Sequence, residues 1–290
     1  MAVAFITLLE RKILGYCQVR IGPNKARIEG ISQPLSDAIK LYTKEVIKPF
    51  SSTFIIFFFS PAIRLILSLL IWSSLPVLKS IITLKFGLLI FFSILGLGVY
   101  PIIIAGWSSN SNFSLIGGIR ALAQTISYEV SLIFIIMRNV ILRNSANLYN
   151  IIEIQKIFIF TLFVFNFLLW LISCTAELNR TPFDFAEGER ELVSGFNTEY
   201  RRGIFAIIFI AEYIMIIFFR SLTSYIFLGD FPKTLKSFLF LILIIFFFIW
   251  IRATLPRYRY DKLINFRWKI VLPVSTFNLF FFFRLNLLSK

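Results

Sequence analysis

Phe86-Gly87-Leu88-Leu89-Ile90-Phe91-Phe92-Ser93-Ile94-Leu95-Gly96-Leu97-Gly98-Val99-Tyr100-Pro101-Ile102-Ile103-Ile104-Ala105-Gly106 contains no charged side chain. About 20 apolar residues in a helix cross the hydrocarbon core of a bilayer, so this stretch reads as a membrane span. Segments 54–78, 117–142, 157–176, 203–228 and 237–255 meet the same demand, and 267–288 adds one more. Residues 2–9 are apolar but cover only half a bilayer, and they are read as the end of a truncated first span. The chain is 58% hydrophobic with 36 phenylalanines in 290 residues, more apolar surface than a soluble core of this length can bury. The expected fold is therefore an all-α integral membrane bundle of about 8 transmembrane helices, forming one polytopic domain over residues 1–290.

Charge and ligand content narrow the function. The formal net charge of +15 is spread between apolar runs rather than gathered on a polar domain, which argues against a nucleic-acid partner. With two cysteines, Cys17 and Cys174, and no histidine, the chain lacks the ligands for a four-thiolate cluster, a His-ligated haem or an ordinary zinc site. No metal site is expected, and any electrons must come from a partner. Segments 10–49, 107–120, 177–202 and 252–269 hold most of the 30 Lys and Arg residues, so the positive-inside rule places them on the side of synthesis. No cleavable leader is visible at the start.

The most unusual stretch runs from Glu177-Leu178-Asn179-Arg180-Thr181-Pro182-Phe183-Asp184-Phe185-Ala186-Glu187-Gly188-Glu189-Arg190-Glu191 to Glu199. A solvated loop whose carboxylates balance basic neighbours is the plain account of it. Interleaved Phe183, Phe185, Leu192, Val193 and Phe196 favour a packed loop instead, and clustered carboxylates beside apolar groups hold protons more tightly, as a proton relay requires. Glu129 and Glu212 lie inside apparent spans, where a carboxylate normally faces the bundle interior or a water cavity; each adjoins a tyrosine. The bland alternative for either is a structural partner for a buried arginine.

Between Gln33 and Ile47 the apolar residues Leu35, Ala38, Ile39, Tyr42 and Val46 recur at helical spacing, predicting an amphipathic interfacial helix over 33–47. Contact with lipid headgroups explains its basic residues, but Asp37 and Glu45 ask for more. Leu255-Pro256-Arg257-Tyr258-Arg259-Tyr260-Asp261-Lys262 is a second charged, aromatic loop suited to pair with the acidic one. A secondary transporter working alone would also carry buried acids, yet no internal repeat is visible.

Several of these motifs carry a resemblance. Glu10-Arg11-Lys12-Ile13-Leu14-Gly15-Tyr16, Arg20-Ile21-Gly22-Pro23-Asn24-Lys25, Gln33-Pro34-Leu35-Ser36-Asp37-Ala38-Ile39-Lys40, Ala105-Gly106-Trp107-Ser108-Ser109-Asn110-Ser111, the Gln124–Val130 stretch, the acidic loop and Leu255–Lys262 together span nearly the whole chain in order. In this the chain resembles the quinone-chamber membrane subunit family of proton-pumping NADH:quinone oxidoreductase, respiratory complex I. The resemblance implies a multi-pass subunit of the mitochondrial inner membrane at the foot of the hydrophilic arm, with its long loops in the matrix. Glu10, Arg11, Arg20, Asp37, Lys40, Arg180 and Arg257 would line or support the ubiquinone tunnel. Glu129, Glu177, Asp184, Glu187, Glu189, Glu199 and Glu212 would form the acidic path into the membrane arm. Ubiquinone is then the substrate, FMN and iron–sulfur clusters belong to partner subunits, the partners are other subunits of the hydrophilic and membrane arms, and phospholipids including cardiolipin surround the chain.

Arginine departs from the family pattern. Arg64, Arg138, Arg220 and Arg284 lie in apolar runs, and Arg190, Arg201 and Arg202 stand where that family usually has small residues. With only three methionines, this fits an invertebrate mitochondrial gene read with a code that gives Arg for Ser and Ile for Met, begun at its first ATG. Several of those positions, and Arg143 with them, would then be serine. Genuine arginines with bundle or phosphate partners are the other expectation.

Overall fold

The computed structural model describes residues 2–25, 28–45, 49, 52–76, 86–143, 145–148, 164–186, 188, 192–228 and 235–288. Among them every extended regular element is helical: α1 Ala2–Cys17, α2 Gln33–Tyr42, α3 Phe54–Leu70, α4 Gly87–Ser108, α5 Asn112–Arg143, α6 Val164–Glu177, α7 Arg202–Thr223, α8 Leu235–Thr254, α9 Tyr260–Phe266 and α10 Leu272–Leu288. Five helical stretches among the described residues are long and apolar enough to cross a membrane: Phe54–Ser74, Gly87–Ser108, Asn112–Ile141, Arg202–Phe227 and Tyr260–Leu288. α6 and the described apolar part of α8 are shorter. The expected start of the fourth span at 157 lies outside the described residues.

Helix boundaries follow local chemistry. Pro34 sits in the first turn of α2, where its missing N–H leaves no bond unmade. That helix ends at Tyr42, with the Thr43 N–H still bonded to the Ile39 carbonyl, so Lys44 and Glu45 fall outside the helix expected over 33–47. Pro61 and Pro101 lie inside α3 and α4, which membrane helices tolerate when neighbours satisfy the freed carbonyls. Hydroxyls in the apolar helices turn back on their own backbone, as Ser68 does to the Leu65 carbonyl at 2.8 Å and Ser173 to Trp170 at 2.9 Å. The last span is longer than the expected 267–288: α9 and α10 form one stretch joined by a π turn, Arg267–Val271.

α5 is the hub, packing on α4, α6 and α10. From α4 the bundle continues through α3 to α7, and α1 wedges between α7 and α8. α2 lies across α1 and α7. The main core joins Ile71, Phe91, Leu132, Trp170, Phe218 and Phe219, with the Phe91 and Phe218 rings stacked at 5.5 Å. Close approach at one point needs glycine: a Cβ on Gly117 of α5 would stand 2.9 Å from the backbone of Gly195, so the helix backs directly onto the turn 195–197.

Some buried arginines find partners. Arg64 pairs with Glu212 at 3.2 Å, and Arg138 donates to the Asn139 Oδ1 at 2.8 Å while lying 4.9 Å over the Phe282 ring. Arg284 is exposed. Arg190 and the side chain of Arg143 lie outside what the structure describes.

Candidate functional site

Three buried polar groups and one open groove stand out, two of the groups and the groove bordering α7. At the first, Glu10 is 4% exposed near the middle of α1 and receives hydrogen bonds from three directions. Arg180 Nη1 donates to its Oε1 at 2.9 Å and Oε2 at 3.2 Å, the Tyr213 hydroxyl donates to Oε2 at 2.5 Å, and Arg252 Nη1 donates to Oε1. The Arg180 guanidinium also lies 4.6 Å over the Tyr213 ring. Burial pushes the Glu10 carboxyl up, but Arg180, Arg252 and the Tyr213 hydrogen bond outweigh it and hold it below its ordinary range. Burial likewise works against the Arg180 charge, and Glu10 more than restores it.

Beside this cluster, a cavity of about 40 Å³ is lined by Asn179, Arg180, Asp184, Glu212, Tyr213 and Arg252. A second, of about 70 Å³, shares Asn179 and Glu212 and extends to Thr125, Arg64 and Glu177 between α3, α4, α5 and α7. Each has room for water. Glu212 thus stands where the two meet, with Arg64 as its ion-pair partner, which is the structural role weighed for it above. At the far end lies a third group: Tyr128 and Glu129 of α5, Glu177 of α6 and Arg267 of the π turn. The Arg267 guanidinium lies 4.1 Å over the Tyr128 ring.

The open groove, of about 460 Å³, lies between α1, α2 and α7 and is lined by Arg11, Asp37, Tyr42, Phe205, Phe209 and Tyr213 among others. Arg11 bonds Asp37 at 2.7 Å, and Gln33 holds the other carboxylate oxygen at 3.0 Å. Tyr213 and Phe209 are common to the groove and the 40 Å³ cavity, so their rings stand between the mouth and the interior.

The acidic loop is fastened on two sides. Gln124, fully buried in α5, donates to the carbonyls of Ala176 at 2.8 Å and Phe183 at 2.7 Å. Arg257 donates to the Asp184 carbonyl, the Tyr258 N–H bonds the Pro182 carbonyl at 3.1 Å, and the Phe183 and Tyr258 rings meet at 5.6 Å. The two loops expected to pair do so, joined by a guanidinium-to-carbonyl bond, a backbone bond and a tilted ring contact.

Of the residues singled out by sequence, Glu10, Arg180, Asp184, Glu177 and Glu212 come together along these cavities, and Arg11 and Asp37 at the groove. Glu129 joins the third group. Arg257 braces the loop. Arg20 and Lys40 are exposed and line none of the cavities described here, Arg20 bonding Gln18 at 2.8 Å. Glu199 is half-buried on the turn before α7. Glu187 and Glu189 lie outside the described residues. Sequence reading gives Arg252 and Arg267 no role; it marks Arg64 only as an arginine in an apolar run and Tyr213 only as the neighbour of Glu212, whereas Arg64 pairs with Glu212 and the Tyr213 hydroxyl bonds Glu10.

The family model described as NADH dehydrogenase matches residues 1–283. The chain belongs to that family. It is similar to NADH-ubiquinone oxidoreductase chain 1 of Aedes aegypti, 55% identical over 281 residues, covering 97% of this chain and 90% of the mosquito protein. The protein of that name from Locusta migratoria is 51% identical over 288 residues, covering 99% and 92% of the two chains. The one from Hylobates lar is 45% identical, covering 94% and 89%. In this NADH dehydrogenase family chain, the groove, Glu10 cluster and carboxylate-lined cavities all fall within the matched residues.

Proposed function

We propose that this chain is a membrane subunit of mitochondrial NADH-ubiquinone oxidoreductase that admits ubiquinone at the α1–α2–α7 groove and begins the proton path into the membrane. Eight helices, the first shortened, would cross the inner membrane, with the fastened loops on the matrix side among the hydrophilic-arm subunits. Flavin and iron–sulfur clusters in those partners would supply electrons, and cardiolipin and other phospholipids would cover the apolar rim. The groove suits an isoprenoid tail along Phe205 and Phe209 and a polar ring near Arg11, Asp37 and Tyr213.

One observation carries this reading: Glu212 and Asn179 line both interior cavities, linking the Glu10–Arg180–Arg252 cluster to Glu177 with little bulk solvent between. A change of charge at the quinone headgroup would be felt through Tyr213 and answered by proton movement along those carboxylates. Glu177→Gln and Glu212→Gln in the assembled complex are expected to lower proton translocation coupled to NADH oxidation by about a hundredfold. Turnover and pumping unchanged in both would overturn the proposal.

A further inference from the structure

The group at the end of the cavities is short of internal bonds. Arg267 is fully buried, and none of its three guanidinium nitrogens meets a hydrogen-bond partner among the described residues. The same is true of the Tyr128 hydroxyl, the Glu129 Oε1 and the Glu177 Oε2, all of which can accept. A surplus of buried donors therefore faces a surplus of buried acceptors. An unpaired guanidinium in an apolar bundle is strongly disfavoured, so its charge must be met by something near it. The Tyr128 face provides part of this at 4.1 Å. Glu177 and Glu129 lie within electrostatic reach and provide the rest.

Backbone geometry makes the placement specific. Arg267 opens the π turn that joins α9 to α10, and both ends of that turn, Arg267 and Val271, are fully buried. Such widened turns are rare and recur at functional sites. The titratable groups around the guanidinium are Tyr128 and Glu129 from α5 and Glu177 from α6; Cys174 of α6 in turn neighbours Glu177, and Tyr258 of the loop before α9 neighbours Tyr128.

We propose that Arg267 is the fixed counter-charge of the Glu129–Glu177 pair, a positioning residue that decides which of the two carboxylates holds a proton at rest. This rests on the proton-path reading and adds to it a cation delivered from the last span. With Arg267 ionised, one carboxylate stays anionic beside it and the other keeps the proton it can pass on. The O–H bond of one carboxyl breaks as the accepting carboxylate oxygen forms its own, no other bond changes, and the guanidinium stays charged.

The test compares Arg267→Gln and Arg267→Lys in the assembled complex, reconstituted in vesicles, with NADH oxidation and proton translocation read against pH. Loss of the cation lets the carboxylates keep their protons to higher pH, so the limb of the profile that follows their ionisation is expected to move up by roughly one pH unit or more in Arg267→Gln. Arg267→Lys is expected to keep the parental limb. If Arg267→Gln fails to assemble, Arg267→Met takes its place as the uncharged variant, and the infrared band of protonated carboxyls in it and in the parent, assigned through Glu177→Gln, gives the same titration. An unmoved limb or band in the uncharged variant overturns the inference, as does fragment mass spectrometry showing serine at position 267. Should Glu129→Gln and Glu177→Gln both pump normally, the underlying proton path fails instead, whatever Arg267 does.

Discussion

Glu10 shows how much one side chain can hold. Its carboxylate is met by Arg180, Arg252 and Tyr213, so it ties α1 to the acidic loop, α7 and α8. Replacing it with Gln would leave two guanidinium groups facing each other, and breaking a buried pair in this way costs about 3 to 5 kcal/mol. A lowered unfolding temperature of the solubilised complex, or loss of the subunit from it, is the expected result. The pH dependence has a definite sign. Because the folded carboxyl is held below its ordinary value of 4.5, its stabilisation is complete above that value and disappears as pH falls through the folded one. Acid titration of stability should therefore show this step in the parent and lose it in Glu10→Gln. Sequence similarity pointed to Glu10 and Arg180, but Tyr213 stands 203 residues and Arg252 242 residues from Glu10, and no spacing rule reaches so far.

Helices were the most legible part of the chain. The expected 86–106 is Gly87–Ser108 and the expected 203–228 is Arg202–Thr223 with a following π turn, because a long, largely apolar run in lipid satisfies its own backbone as a helix. Less legible were joints set by packing. Asn112–Arg143 starts before the expected 117, carrying Gly117 and Gly118 inside the helix as close-contact positions. The π turn at Arg267–Val271 had no sequence signal at all. Gly117→Ala tests the first of these: its Cβ would need the 195–197 turn to retreat, pulling Phe196 from under Arg64, whose guanidinium lies 5.3 Å from that ring. A stability loss of about 1 to 3 kcal/mol is expected, measured by thermal unfolding of the complex.

Taken together, the bundle is unevenly covered. More than half of the most apolar part of Arg202–Phe227 is buried within the chain, whereas about a tenth of that of Tyr260–Leu288 is, with Phe277, Phe280 and Leu288 facing outward. A lipid-soluble carbene reagent applied to the separated chain in detergent micelles is expected to label 272–288 heavily and 202–227 weakly; equal labelling would refute the packing described here. The fastening of the acidic loop to the Arg257–Tyr258 segment reaches further. Joined by Arg257 to Asp184, Tyr258 to Pro182 and ring to ring, the two segments have no independent freedom. Inheritance should treat them as a unit: across descendants of this gene, a change in one segment ought to be accompanied by a matching change in the other, 70-odd positions downstream.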